Sequence, residues 1–254
     1  MRIATVVGTW ERLDLARQCV QAFRDSQPPE GTTLTFVVQG NDSATEGWLR
    51  NAGIDVIREE KPLPFAQLNN KAAEQVLIEG IDWLLLLNND VFLQAGFWDA
   101  LAVMDAHHFD ICGAKLLYPN GTIQHFGKWF TLDHYPFHVL RGEKGDDERA
   151  MMPRAFPCVT FACAAISVPL WRELKGLDET FVNGYEDDDF CLRASELGGQ
   201  IGVHPGMAGT HLESQTTGQD NANKAAQWQK FKERWVDTGR IQWPLGQAMT
   251  WRWL

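Results

Sequence analysis

The sequence predicts an α/β fold with a mostly parallel central sheet flanked by helices. Three observations carry this expectation. Short β-branched or aliphatic runs alternate with stretches of helical period through the first half, the pattern of right-handed βαβ units. The most apolar run, Trp83 to Leu87, has the length and composition of a strand buried on both faces. No internal repeat, low-complexity tract or linker interrupts the 254 residues, so they read as a single domain.

Ile3 to Val7 is the first strand. Leu13, Ala16, Val20 and Phe23 then recur at helical spacing, and Pro28-Pro29-Glu30-Gly31 ends that helix. Leu34 to Val38 is a second strand, followed by the polar loop Gln39-Gly40-Asn41-Asp42-Ser43. A short helix near Trp48 to Asn51 and a short strand at Asp55 to Ile57 come next. Leu68, Ala72 and Val76 mark the helix before the Trp83 to Leu87 strand. In the second half Tyr118-Pro119-Asn120-Gly121 reads as a turn, residues 131–155 as a long mobile loop, and Val159 to Val168 as a strand. Phe190, Ala194 and Leu197 stripe a helix that opens at Glu186, and Trp228, Phe231 and Trp235 mark a C-terminal helix. Parallel sheets bind ligands beyond the carboxyl ends of their strands. The loops after Val7, Val38 and Leu87 are therefore where chemistry is expected.

Composition excludes several classes. With 33 acidic against 23 basic side chains and a net charge of −10, the chain lacks the positive field that a phosphate backbone requires, and no nucleic-acid partner is expected. The Trp83 to Leu87 run falls far short of the roughly 20 residues of a membrane span. Met1-Arg2-Ile3-Ala4-Thr5 reads as the start of a strand, not a secretory leader. Five cysteines, an odd number without framework spacing, suit buried thiols of a reducing compartment, so a cytoplasmic location is expected.

Three stretches carry candidate chemistry. The strand at Leu87 ends abruptly in Asn88-Asn89-Asp90, which would place a carboxylate at the ligand edge of the sheet, suited to a hard divalent cation; the same residues are also common turn formers. Glu186-Asp187-Asp188-Asp189 is a second cluster, four carboxylates that repel one another unless solvated, paired or near a cation. A helix N-terminus offsets part of that repulsion, and acidic first turns are ordinary there. Helical period puts Asp187, Cys191 and Ala194 on nearly one face and turns Asp188 away by about 100°. His211 follows a loop rich in small residues, Pro205 to Thr210; a histidine by itself suits a structural hydrogen bond as well as a metal. No glycine-rich phosphate loop or serine nucleophile elbow is present.

The order of these pieces resembles the family 2 glycosyltransferases of the GT-A fold, especially the rhamnosyltransferase-like branch, from about Ile3 to Trp235. The matching segments are Thr9-Trp10-Glu11-Arg12, Pro64-Phe65-Ala66-Gln67-Leu68-Asn69-Asn70, Asn88-Asn89-Asp90, Gly113 to His125, Leu177 to Phe181, Tyr185 to Arg193, and His211 with Ser214. The resemblance implies inverting transfer of a sugar from a nucleoside-diphosphate donor, a UDP- or dTDP-sugar, to an acceptor hydroxyl of a glycan or similar compound. Asp90 and His211 would hold Mn²⁺ or Mg²⁺. Asp187 would be the general base with Glu186 in support, and Asp188 and Asp189 would meet the acceptor. Thr9, Glu11, Arg12, Gln39, Asp42, Asn69, Asn88 and Asn89 would meet the donor. The family's second strand usually ends in an aspartate that reads the base; here Gln39 stands in that place, or Asp42 after a shift.

The resemblance divides the chain into a nucleotide-sugar half (1–112), an acceptor and catalytic half (113–235) and a tail (236–254). The tail is rich in tryptophan but has one basic residue after Pro244, so a docked or dimer-forming tail is expected, with membrane contact at most peripheral. Two other functions share such a fold: a nucleotidyltransferase that makes nucleotide sugars, which would release pyrophosphate, and a non-catalytic sugar-binding protein. Gly8-Thr9-Trp10-Glu11-Arg12 is a poor phosphate loop for the first, and Asp90, Asp187 and His211 argue against the second.

Overall fold

The computed structural model describes residues 1–213 and 221–241. Its elements in chain order are β1 (Ile3–Thr9), α1 (Leu13–Asp25), β2 (Thr33–Gln39), α2 (Ser43–Asn51), β3 (Asp55–Glu59), α3 (Phe65–Val76), β4 (Trp83–Asn88), β5 (Val91–Leu93) and α4 (Phe97–Ala106). Then come β6 (Ile111–Leu117), β7 (Ile123–His125), β8 (Lys128–Phe130), β9 (Pro136–His138), β10 (Arg154–Ala155), β11 (Cys163–Ser167), α5 (Val168–Glu173), α6 (Glu186–Glu196), β12 (Ile201–His211) and α7 (Asn221–Phe231). A π-helical turn, Lys232–Val236, extends α7. None of the helices among the described residues is long and apolar enough to cross a membrane.

The main sheet runs β10-β12-β6-β11-β4-β1-β2-β3. Strands β4, β1, β2 and β3 are parallel neighbours, as the alternating periods predict. β11 enters antiparallel between β4 and β6, and β12 returns parallel to β6. Side chains alternate across the sheet. Val6, Leu84, Leu86, Ala164 and Ile166 face one core, and Ile3, Val7, Leu85, Leu87, Cys163 and Ala165 face the other. On the second face α1 buries Leu15, Ala16, Cys19, Val20 and Phe23, its apolar stripe. Burial of each large side chain there stabilises the fold by about 1.5–3 kcal/mol.

The second half departs from expectation in three places. Residues 131–155 do not form one long loop. They contain β9, a 3₁₀ turn at Glu148–Ala150 and β10, with Val139 and Ala150 buried. The Lys115 ammonium anchors them by donating to the carbonyls of Gly145 (2.7 Å) and Ala150 (3.1 Å). The strand expected from Val159 starts only at Cys163, because the preceding residues turn to meet the end of β4, where the Asn88 N–H donates to the Ala162 carbonyl (2.8 Å). Pro205 to Thr210 belongs to a strand, not a loop: β12 pairs with β6 on both sides of a register shift between His204 and Ala208. All five cysteines are buried free thiols. Ser214 and the tail beyond residue 241, with its dimer and membrane expectations, lie outside the described residues.

Candidate active site

A cleft of about 570 Å³ opens where β1, β2 and β4 end at Thr9, Gln39 and Asn88. Its lining brings together Thr9, Gln39, Asn69, Asn88, Asn89, Asp90, Glu186, Asp187 and His211, residues far apart in sequence. Five other candidates do not border it. Arg12 turns its guanidinium onto Asp14 (3.0 and 2.9 Å), and Glu11 stands exposed in the turn beside it. Asp42 caps α2 by accepting from the Thr45 N–H (3.1 Å). Asp188 is buried behind Asp187. Asp189 is fully buried: it accepts from Arg193 Nε (2.8 Å), Arg234 Nη1 (2.8 Å) and Trp235 Nε1 (2.9 Å), which ties α6 to the π-turn. An acceptor cannot meet that carboxylate while these donors occupy it.

Within the cleft Asp90 and His211 converge. β5 and β12 pair antiparallel with His211 opposite Val91, and the Leu212 N–H donates to the Asp90 carbonyl (3.1 Å), so backbone sets the distance between the two side chains. His211 Nε2 lies 3.2 Å from Asp90 Oδ1. As the Gln124 amide is placed, its Oε1 accepts from His211 Nδ1 (2.6 Å). With the ring proton on Nδ1, the Nε2 lone pair faces a carboxylate oxygen and a shared cation would satisfy both; with the proton on Nε2, the ring donates to Asp90 instead. One oxygen and one nitrogen donor suit a divalent first-row ion, and no third His, Cys, Asp or Glu completes a cluster among the described residues. The remaining positions would thus be open to oxygen ligands. Partners that orient a metal-bound imidazole are typically worth about 10–100-fold in metal affinity. Gln124→Leu is accordingly expected to weaken Mn²⁺ binding by about that factor; calorimetry that returns the wild-type affinity would remove Gln124 from this role.

Two further carboxylates line the cleft. Tyr185, in a left-handed conformation (φ 68°), starts α6 and sends Glu186 and Asp187 into the cleft. Burial first, and the neighbouring Asp187 charge second, push Glu186 up to about 7. Asp187 lies below the usual carboxylate range: burial acts to raise it, but the Lys128 ammonium, 2.7 Å from Oδ2, outweighs burial together with the Asp188 N–H on Oδ1 (2.8 Å). Burial raises Asp188 to about 7 against the pull of Lys128. Helical period does not separate these neighbours as expected. Both carboxylates turn onto Lys128, which stands 3.1 Å from each oxygen of Asp188. Lys128 was not legible in the sequence, because a single lysine in β8 has no spacing signature. Gln124, inside the Gly113 to His125 segment, likewise has no spacing signature of its own.

Gln39 is at the cleft, where its Oε1 accepts from the Leu63 N–H (2.7 Å); Thr9 Oγ1 accepts from Asn89 Nδ2 (3.1 Å), and Asn69 Nδ2 donates to the Phe65 carbonyl (2.9 Å). Thr160, Phe161 and Ala162 complete one wall.

No protein-family profile matches the chain. It is 27% identical over 251 residues to the uncharacterized protein y4gI of Sinorhizobium fredii, a match covering 92% of this chain and 27% of that protein. It is also 27% identical over 179 residues to the O-antigen biosynthesis protein RfbC of Myxococcus xanthus, covering 68% of this chain and 14% of RfbC. The chain therefore spans 27% and 14% of the lengths of these two relatives. Among solved structures, GalNAc-T7 with UDP, GalNAc and Mn²⁺ superposes with a TM-score of 0.72 at 14% identity, over 93% of this chain and 49% of that one. The mannosyltransferase PcManGT of Pyrobaculum calidifontis, in complex with GDP-Man and Mn²⁺, gives 0.65 at 12% identity over 97% and 65% of the two chains. S. aureus TarS gives 0.55 at 16% identity over 80% and 35%. The mostly parallel sheet flanked by helices is thus that of the GT-A glycosyltransferase fold.

Proposed function

We propose that the chain is an inverting, metal-dependent glycosyltransferase of the family 2 type, acting in glycan or polysaccharide assembly. The observation that carries this reading is a single cleft lined by both the Asp90–His211 pair and Asp187, whose carboxylate is held by the Lys128 ammonium. The O-antigen name of RfbC and the nucleotides and Mn²⁺ named for two structural neighbours support it. The donor is a UDP- or dTDP-sugar, with Gln39 beside the base.

Bound by Asp90 and His211, Mn²⁺ or Mg²⁺ would neutralise the charge that builds on the leaving diphosphate. Asn88, Asn89, Thr9 and Asn69 offer polar atoms along the donor. Asp187 takes the proton of the acceptor hydroxyl as that oxygen bonds to the anomeric carbon and the carbon–diphosphate bond breaks on the opposite face. Inversion follows without a covalent intermediate. Glu186 lies beside the base. Calorimetry with UDP and dTDP tests this reading: binding should require Mn²⁺, and Asp90→Asn should weaken it at least about tenfold, 1.4 kcal/mol or more. Wild-type protein that binds neither nucleotide in the presence of Mn²⁺ would overturn the reading, and pyrophosphate release from nucleotide substrates would favour a nucleotidyltransferase.

A further inference from the structure

Lys128 is placed by its backbone before its charge acts. It opens the β8–β9 hairpin, where it pairs with His138, and its N–H donates to the Cys158 carbonyl (2.8 Å). The side chain is 9% exposed and ends between Asp187 and Asp188, 2.7 Å from the first and 3.1 Å from the second. A buried ammonium is costly unless paired, and these two carboxylates are what it pairs with. The contact also fixes Asp187: Oδ2 is held by Lys128 and Oδ1 by the Asp188 N–H, so the carboxylate plane is set.

The other groups around Asp187 do not replace this charge. From α6 come Glu186 and Asp188, both acidic, and from the residue before it the Tyr185 phenol. The Cys158 thiol meets the Asp188 carbonyl (3.8 Å) and is pushed up by burial, and Cys191 is a buried free thiol. His138 of β9 and His125 of β7 meet through their Nδ1 atoms (2.9 Å). His125 Nε2 accepts from the Gly127 N–H (3.2 Å) and the Thr160 N–H (3.4 Å), so its proton sits on Nδ1 and is donated to His138. Burial holds both rings well below their ordinary range, His138 at about 3, and both are neutral at pH 7. His211 of β12 is turned to Asp90 and Gln124.

We propose that Lys128 is a positioning residue of the transfer reaction: its ammonium, inserted between Asp187 and Asp188, fixes the cleft-facing carboxylate and keeps it ionised to receive the acceptor's proton. This rests on the glycosyltransferase reading given above. Lys128→Met leaves Asp187 buried beside two acidic neighbours, so its protonated form gains. A base works only when deprotonated, so the acid limb of kcat should move to higher pH, by about one unit or more, with donor affinity unchanged. Lys128→Arg keeps the charge and should hold the limb near its wild-type position. Lys128→Met with Asp188→Asn keeps the local net charge, guards against a single variant that does not fold, and should still move the limb upward.

The carboxyl ¹³C titration of Asp187, assigned by its absence in Asp187→Asn, reads the same shift without turnover. A folded Lys128→Met variant, alone or with Asp188→Asn, whose kcat limb and Asp187 titration both stay at the wild-type position overturns the proposal. So does a loss of kcat that is uniform at every pH. If wild-type protein neither transfers nor hydrolyses a donor while the Asp187 titration still shifts, the transferase reading fails and the electrostatic role of Lys128 stands.

Discussion

Asp187→Asn is expected to lower turnover by about 10²–10⁴-fold, the contribution typical of a general base. The substitution keeps the shape of the side chain and removes the proton acceptor. Asp90 and His211 are untouched, so Mn²⁺-dependent donor affinity should stay within about twofold of wild type. Lys128 retains Asp188, which limits the structural disturbance. Glu186 is the rival within reach, since it borders the same cleft and sits at about 7, a value well matched to neutral pH. Steady-state kinetics of Asp187→Asn and Glu186→Gln, with donor titrations, separate the two. Full turnover in Asp187→Asn with loss in Glu186→Gln would exchange the roles. Full turnover in both would sink the inverting mechanism for this cluster.

Asp189→Ala is expected to destabilise the fold by about 3 kcal/mol, the lower end of the range for breaking a buried ion pair. The lower end applies because Arg193 and Arg234 are each partly exposed, at 20% and 30%, and recover some hydration. Buried Trp235 Nε1 would lose its acceptor as well. The link between α6 and the π-turn would go with them, so the loss should appear as a lower urea midpoint with an unchanged slope. A cost under about 1 kcal/mol would mean that the carboxylate is not structural, and the expected acceptor role would return.

These two neighbours illustrate what the sequence can and cannot convey. β-branched runs alternating with helical stripes disclose β1 to β4, because burial on a twisted sheet selects those periods directly. Asp90, Asp187 and His211 stand out as polar residues at element ends. Four consecutive carboxylates, by contrast, look alike until their partners arrive from elsewhere: Lys128 from β8 for Asp187 and Asp188, and Arg234 and Trp235 from the π-turn for Asp189. Such long-range pairings leave no local period. β12 was hidden for a different reason. Pro205, Gly206 and Gly209 are turn residues by type, yet the ladder to β6 resumes at Ala208, takes in Gly209 and overrides their propensity.

The irregular stretch in β12 also bears on how this protein tolerates changes in length. His204 stands opposite Ala114 and Ala208 opposite Lys115, so residues 205–207 have no counterpart on β6. Pro205 has no N–H to offer a ladder, and it falls where none is required. Beyond the irregularity the strand is gripped on both sides, by β6 through Thr210 and by β5 through His211. Residues added or lost at 205–207 would leave His211 opposite Val91. A single residue inserted between Ala208 and His211 would instead slide the imidazole off Asp90 and turn it to the other face of the sheet. Descendants of this sequence can therefore lengthen that strand at Pro205 or Gly206, next to the buried Met207, and still inherit the Asp90–His211 spacing unchanged.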